Sequence, residues 1–389
     1  MLTRFKGLFF VLFFIFAFAT SANATQEINI NNNDDINSDI LGSIENELDE
    51  FKSSLPDSVL DFLPSEIFDG DFSSLSNGKI NQSTFLDFSI DYILAFLPSI
   101  IKSFSSMLAL VIIASIFNTL KTSFTSEGLK TAFSLCSALS ISVTVFSAIT
   151  SISGLCIDYL HALCSTMNTF APVMSGLMIM TGSISSATVS NASFMLFLTI
   201  VENFIIIALI PVIKMSFSFS AISAISGSVD LSGFSRFIKN TFTGACVLLM
   251  SIFSFVMSFQ SVLTHSVDSL SMRTARFAIG NFIPIVGGFL SDSLKTISSS
   301  LSYVKNACGV VAIIVIVILT LPIVISLLLY RLSFNLISGA SRAIGLDSEC
   351  RIFDEASTLC SFILAICVLC VVVFIFALTV FVKFSVGIA

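Results

Sequence analysis

Residues 356–382 read ASTLCSFILAICVLCVVVFIFALTVFV, 27 residues without one Asp, Glu, Lys or Arg. As a helix this stretch is about 40 Å long, and about 20 apolar residues are enough to cross a hydrocarbon core. One such run could be a buried helix of a soluble protein. Here it is repeated: Asn306–Tyr330, Thr131–Ile157 and Tyr159–Val201 also lack those four residue types. The whole chain is 55% hydrophobic and 11% charged, against about 25% charged in ordinary soluble domains. These runs exclude a soluble enzyme and predict an all-α polytopic transmembrane bundle.

Reading outward, full spans fall at 95–120, 131–157, 194–213, 241–263, 308–330 and 359–382. Two further segments are apolar but broken. Leu163–Thr181 contains Pro172 and Gly176, and Phe277–Leu290 contains Gly280, Pro284, Gly287 and Gly288. The fold expected is therefore six full spans plus two broken or re-entrant segments, or seven to eight spans. The broken segments align: Phe170-Ala-Pro172-Val-Met-Ser-Gly176 with Phe282-Ile-Pro284-Ile-Val-Gly-Gly288. A Ser-rich stretch and an apolar span ending in proline follow each. This pattern suggests an internal repeat, 131–240 and 241–358, within a membrane domain 92–389. Spanning broken segments would make the repeats inverted, and re-entrant ones would make them parallel.

The front of the chain differs in composition. Arg4 and Lys6, an apolar run Leu8–Ala19 and Ala22-Asn23-Ala24 fit a signal peptide over 1–24. Residues 25–91 then hold 15 acidic and 2 basic residues, an acidic exported segment. Ile40, Leu41, Ile44, Leu48, Phe51 and Leu55 recur there at helical spacing. The segment has no cysteine and hence no disulfide framework. Its acidity reads either as plain solvation or as attraction for a basic partner or a cation. With the segment outside and six spans, the inside loops carry eight Lys and Arg and the outside loop and tail five, a weak bias of the usual sign.

Chemistry-bearing residues are few. There are two histidines and no recognisable metal, phosphate-binding or nucleophile motif, so no catalytic, cofactor or metal site is expected. Asp158 and His161, one turn apart, read as a hydrogen-bonded pair at a membrane edge. Cys367-Val-Leu-Cys370 is formally C-x-x-C, but inside a span it reads as small apolar packing. Glu202, with Asn203 beside it, sits in the middle of a span. A central carboxylate costs about 2.5–3.5 kcal/mol to insert, and such residues usually face a bundle interior or a wet cavity. Arg273 and Arg276 share one face of a helix entering the break at Asn281 and Pro284. They read either as a headgroup-binding amphipathic helix or as a half-helix ending at a transport site. The candidate pore or gating residues are thus Glu202, Asn203, Pro172, Gly176, Asn281, Pro284, Gly287 and Gly288. Arg273 and Arg276 are the candidate interface or lipid-headgroup residues.

Leu55-Pro-Asp-Ser58, the run Arg273-Thr-Ala-Arg-Phe, Gly280-Asn-Phe-Ile-Pro-Ile-Val-Gly287 and Asp292 after it resemble the stage III sporulation protein AE family of endospore-forming bacteria. The order of signal peptide, short ectodomain and polytopic domain agrees. The resemblance implies a protein of the mother-cell membrane that engulfs the forespore, with its exported part in the intermembrane space. It implies a subunit of a channel or feeding complex with other stage III sporulation A-operon membrane proteins and, through them, a forespore membrane partner. A homo-oligomer is compatible with this, the lipid bilayer is a necessary partner, and no nucleic-acid partner is implied. A secondary transporter acting alone and a non-conducting scaffold are the rival readings.

Overall fold

The computed structural model of the chain describes residues 82–121, 126–226, 230–282 and 287–383. The expected signal peptide, the acidic segment up to residue 81 and Pro284 lie outside the described residues. What is described is helical apart from short turns. The elements are α1 (Gln82–Lys121), α2 (Glu127–Met180), α3 (Ile184–Ile200), a π-helical turn (Val201–Ile206), α4 (Ile207–Ser226), α5 (Ser232–Phe282), α6 (Gly287–Ala343) and α7 (Asp347–Lys383). Six helices are long and apolar enough to cross a membrane, with α3, the π turn and α4 counting as one. Hydrocarbon offers no water to backbone N–H and C=O groups, so a span must satisfy them within itself.

The helices run up and down. The proximal end holds the end of α1, the starts of α2 and α5, and the α6–α7 turn. There Ser137 donates to Glu349 (2.8 Å), Ser235 and Lys239 both donate to Glu355 (3.0 and 2.6 Å), and Arg342 pairs with Asp354 (2.7 Å). The distal end holds the α2–α3 turn, the end of α5 and the start of α6.

One distal tie places α3. Gly182 takes a left-handed φ of +87°, and a Cβ there would also strike the methyl of Met272 on α5. The chain reverses at that point, and the first N–H groups of α3 are left without helical acceptors. Asp268 of α5 supplies them: its carboxylate accepts from Ser185 N (3.0 Å) and Ser186 N (2.8 Å). Its negative charge also suits a helix N-terminus.

The span count of six is found, and the broken segments turn out differently. Leu163–Met180 is neither a separate span nor a re-entrant loop, because it continues α2. Pro172 removes one helical hydrogen bond, yet Phe170, Ala171, Val173 and Met174 around it are buried and hold the helix together. Of the other segment, Phe277–Phe282 ends α5 and Gly287–Leu290 starts α6.

The tie at Asp268 carries a prediction. Asp268→Ala leaves two N–H groups of α3 unmet in a buried setting and is expected to lower stability by about 2 kcal/mol. Thermal unfolding in detergent measures this, and Asp268→Asn should fall between the two.

Candidate functional site

Depth in the membrane is set by α7. Its uncharged run 356–382 is centred at Leu369. Cys156 Sγ of α2 lies 3.1 Å from Cys367 Sγ, so Asp158 stands at about that level. The rings of Phe194 and Phe197 pack on Phe374 (centroids 6.1 and 5.5 Å), which brings Glu202 on the following turns close to the same level. Phe146 packs on Phe217 (5.7 Å). Counting 15 residues inward along each of these antiparallel helices reaches His161 and Glu202. Asp158 and His161 are thus at mid-depth, not at the membrane edge that the sequence suggested.

The two faces of α2 are opposite in character. Ile149, Ile152, Cys156, Leu160, Leu163, Met167, Phe170 and Met174 follow steps of three and four and are all buried. On the other side Ser147, Ser151, Asp158, His161, Ser165, Asn168 and Pro172 are exposed, and Gly154 between them is half-buried. The steps along this second series alternate four and three without a fault. It covers 26 residues, about 38 Å of helix, more than the hydrocarbon thickness. Among these exposed positions Leu155 is the one large apolar side chain.

Serine and threonine alone would not require water. Ser151 and Thr150 donate back to the carbonyls of Ser147 (3.1 Å) and Phe146 (2.8 Å), which suits a hydroxyl in lipid. Asp158 and His161 have no such recourse. A charged group facing hydrocarbon at mid-depth costs several kcal/mol, so such residues face protein or a wet cavity. The ion pairs among the described residues are Lys130–Glu127, Lys239–Glu355 and Arg342–Asp354, and none includes Asp158 or Glu202.

Glu202 and Asn203 sit beside this stripe on the π turn, a local widening of the helix that recurs at functional sites. Asn203 Nδ2 donates to the Thr199 carbonyl (2.9 Å), and both residues are exposed. Glu202 is half-buried and within Coulombic reach of Cys164 on α2. Two carboxylates and an imidazole therefore share one level on neighbouring elements.

Of the residues singled out in the sequence, Glu202, Asn203 and Pro172 lie on or beside this face. Gly176 is half-buried one turn beyond Pro172. Asn281 closes α5, while Gly287 and Gly288 open α6. These do not join Glu202. Phe197 stacks on Phe253 (3.7 Å), and Asn281 is 28 residues further along α5, about 40 Å away. Arg273 is exposed on the distal part of α5. The sequence reading missed the stripe itself. The 4-3 alternation from Ser147 to Pro172 was visible, but dividing α2 into a span and a broken segment hid it. No group of His, Cys, Asp and Glu that could hold a metal ion occurs among the described residues.

Fold and face together define a polytopic helical membrane protein with a polar surface at membrane depth. The chain belongs to the stage III sporulation protein AE family, whose description matches residues 71–385. It is 25% identical over 228 residues to the stage III sporulation protein AE of Bacillus subtilis (strain 168). That alignment covers 58% of this chain, and the chain spans 57% of the length of that relative. No solved structure matches.

Exposure to water along the stripe is testable by labelling. With native cysteines replaced, Ser151→Cys and Ser165→Cys are expected to react with a membrane-impermeant thiol reagent in native membranes, where the chain is assembled. Leu196→Cys and Ile207→Cys, on apolar exposed positions, are expected to stay unlabelled. Equal protection of all four would remove the wet face.

Proposed function

We propose that this chain is a membrane subunit of a stage III sporulation complex between mother cell and forespore, and that α2 forms part of the wall of its passage. The exposed polar stripe from Ser147 to Pro172 carries this reading. A single copy would press Asp158 and His161 against lipid. Assembly with further copies, or with the other stage III A-operon membrane proteins, turns the stripe onto a shared aqueous space. Glu202 and Asn203 then stand at the edge of that space, at mid-depth.

The distal end is the extracytoplasmic side in this reading. The exported segment precedes α1, which enters the bundle from that end. The intermembrane space would hold the distal hairpin of α5 and α6, and a forespore membrane partner would be met from there. A carboxylate-lined constriction favours cations, so cations are the permeants to try first.

A second reading rests on the π turn. A carboxylate on a helix irregularity at mid-depth suits a secondary transporter acting alone. Flux into liposomes separates the readings, using the purified chain and the chain co-purified with its membrane partners. A passage gives non-saturating cation flux, reduced at least tenfold by Asp158→Leu. A transporter gives saturable uptake by the chain alone, abolished by Glu202→Gln. No flux in either preparation leaves a scaffold.

A further inference from the structure

At the proximal end, α1, α2 and the α6–α7 turn surround a half-open cavity of about 200 Å³. Drug-sized ligands occupy pockets of about 300–1,000 Å³, so this one fits a small molecule or a single headgroup. Its wall is polar. Asn118 comes from α1, Ser134 and Ser137 from α2, and Asp347, Ser348 and Glu349 from the first turn of α7. No lysine, arginine or histidine lines it. Gly345, at a left-handed φ of +79°, reverses the chain between α6 and α7 and brings the two carboxylates against α2. Glu349 is buried, with 5% of its surface exposed. Ser137 donates to one of its oxygens (2.8 Å), and the other has no hydrogen-bond partner among the described residues. Neither Glu349 nor Asp347 belongs to an ion pair there. A buried carboxylate ordinarily has a cation or several donors beside it, and this one has a single hydroxyl.

The cation that this arrangement fits is a primary ammonium. Oxygen acceptors converge from three elements, and an ammonium offers three donors that turn to meet them. A guanidinium presents a planar fork, suited to one carboxylate met edge-on. Phe117 and Phe133 line the same cavity, with ring centroids 5.6 Å apart, and aromatic faces attract an organic cation. The start of α7 opposes a cation with about half a positive charge, but Asp347 and Glu349 set two full negative charges against it. No group of His, Cys, Asp and Glu that could hold a metal ion occurs among the described residues. Depth is compatible with two sources of the amine. Glu355 is the last charge before the uncharged run of α7, and Glu349 lies six residues earlier, about 9 Å along the helix. A headgroup layer is about 5–8 Å deep on each side, so the cavity stands at its outer face. An aminophospholipid headgroup and a free amine both reach it there.

We propose that this cavity is a binding site for a primary ammonium group, held by Glu349 and Asp347 of α7 with Asn118 of α1 opposite. The test is NMR on the full chain, isotope-labelled at its alanine methyls, because Ala114 of α1 lines the cavity. In nanodiscs of phosphatidylglycerol, ethanolamine is expected to shift the Ala114 signal saturably. Ethylene glycol, of the same size without the charge, is expected to leave it in place. Glu349→Gln keeps an oxygen for Ser137 and is expected to weaken ethanolamine binding at least tenfold, with helical content by circular dichroism unchanged. Asp347→Asn, at an exposed position, should weaken it less. Nanodiscs containing phosphatidylethanolamine separate the two sources. A signal already at its bound position assigns the ammonium to the lipid, and one that still moves with added ethanolamine assigns it to a free amine. No shift with ethanolamine in phosphatidylglycerol overturns the proposal. An equal shift with ethylene glycol or potassium chloride does so too, as does unchanged affinity in both variants.

Discussion

Burial of most of the circumference of α7 is the constraint from which the other placements follow. Twenty-seven consecutive residues of this helix carry no charge, so every face can meet protein or lipid. The bundle gives it mostly protein: α2, α4, α5 and α6 all pack on it. Phe353, Phe374 and Phe381 are fully buried there. Its charged first turns, by contrast, hold the proximal ties through Glu349, Asp354 and Glu355. One helix thus sets both the depth scale and the proximal boundary.

The consequence for α2 is an inverted amphipathic helix. A span at the rim of a bundle ordinarily shows apolar side chains to lipid. Here the apolar side is spent on the core, and the rim side is Ser, Asp, His and Asn. A hydroxyl such as that of Ser151 bonds back to its own helix and is tolerated in lipid. Asp158 and His161 are not, and these two residues separate a merely serine-rich surface from one that needs water or a protein neighbour.

The architecture was largely legible in the sequence, because runs such as Asn306–Tyr330 leave no alternative to a helix across hydrocarbon. Glu202 was legible too, as the one carboxylate in the middle of a span. Pro172 was misleading. Local propensity marks it as a break, but buried neighbours on both sides outweigh one missing hydrogen bond. The level of Asp158 was not legible, since it depends on the contact of Cys156 with Cys367, 211 positions apart. The distance from Glu202 to Asn281 was hidden likewise, because it follows from how far α5 runs past Phe253.

The lengths of α5 and α6, 51 and 57 residues, have a mechanical side. Each is a rod of roughly 75–85 Å, continuous from the distal tip to the proximal ion pairs. Pro322 lies within α6, and α5 contains no proline. A stiff rod conserves torque along its axis. A push or twist delivered to the tip is therefore felt at Lys239 and Glu355, on the far side of the bilayer, without any intervening segment having to refold.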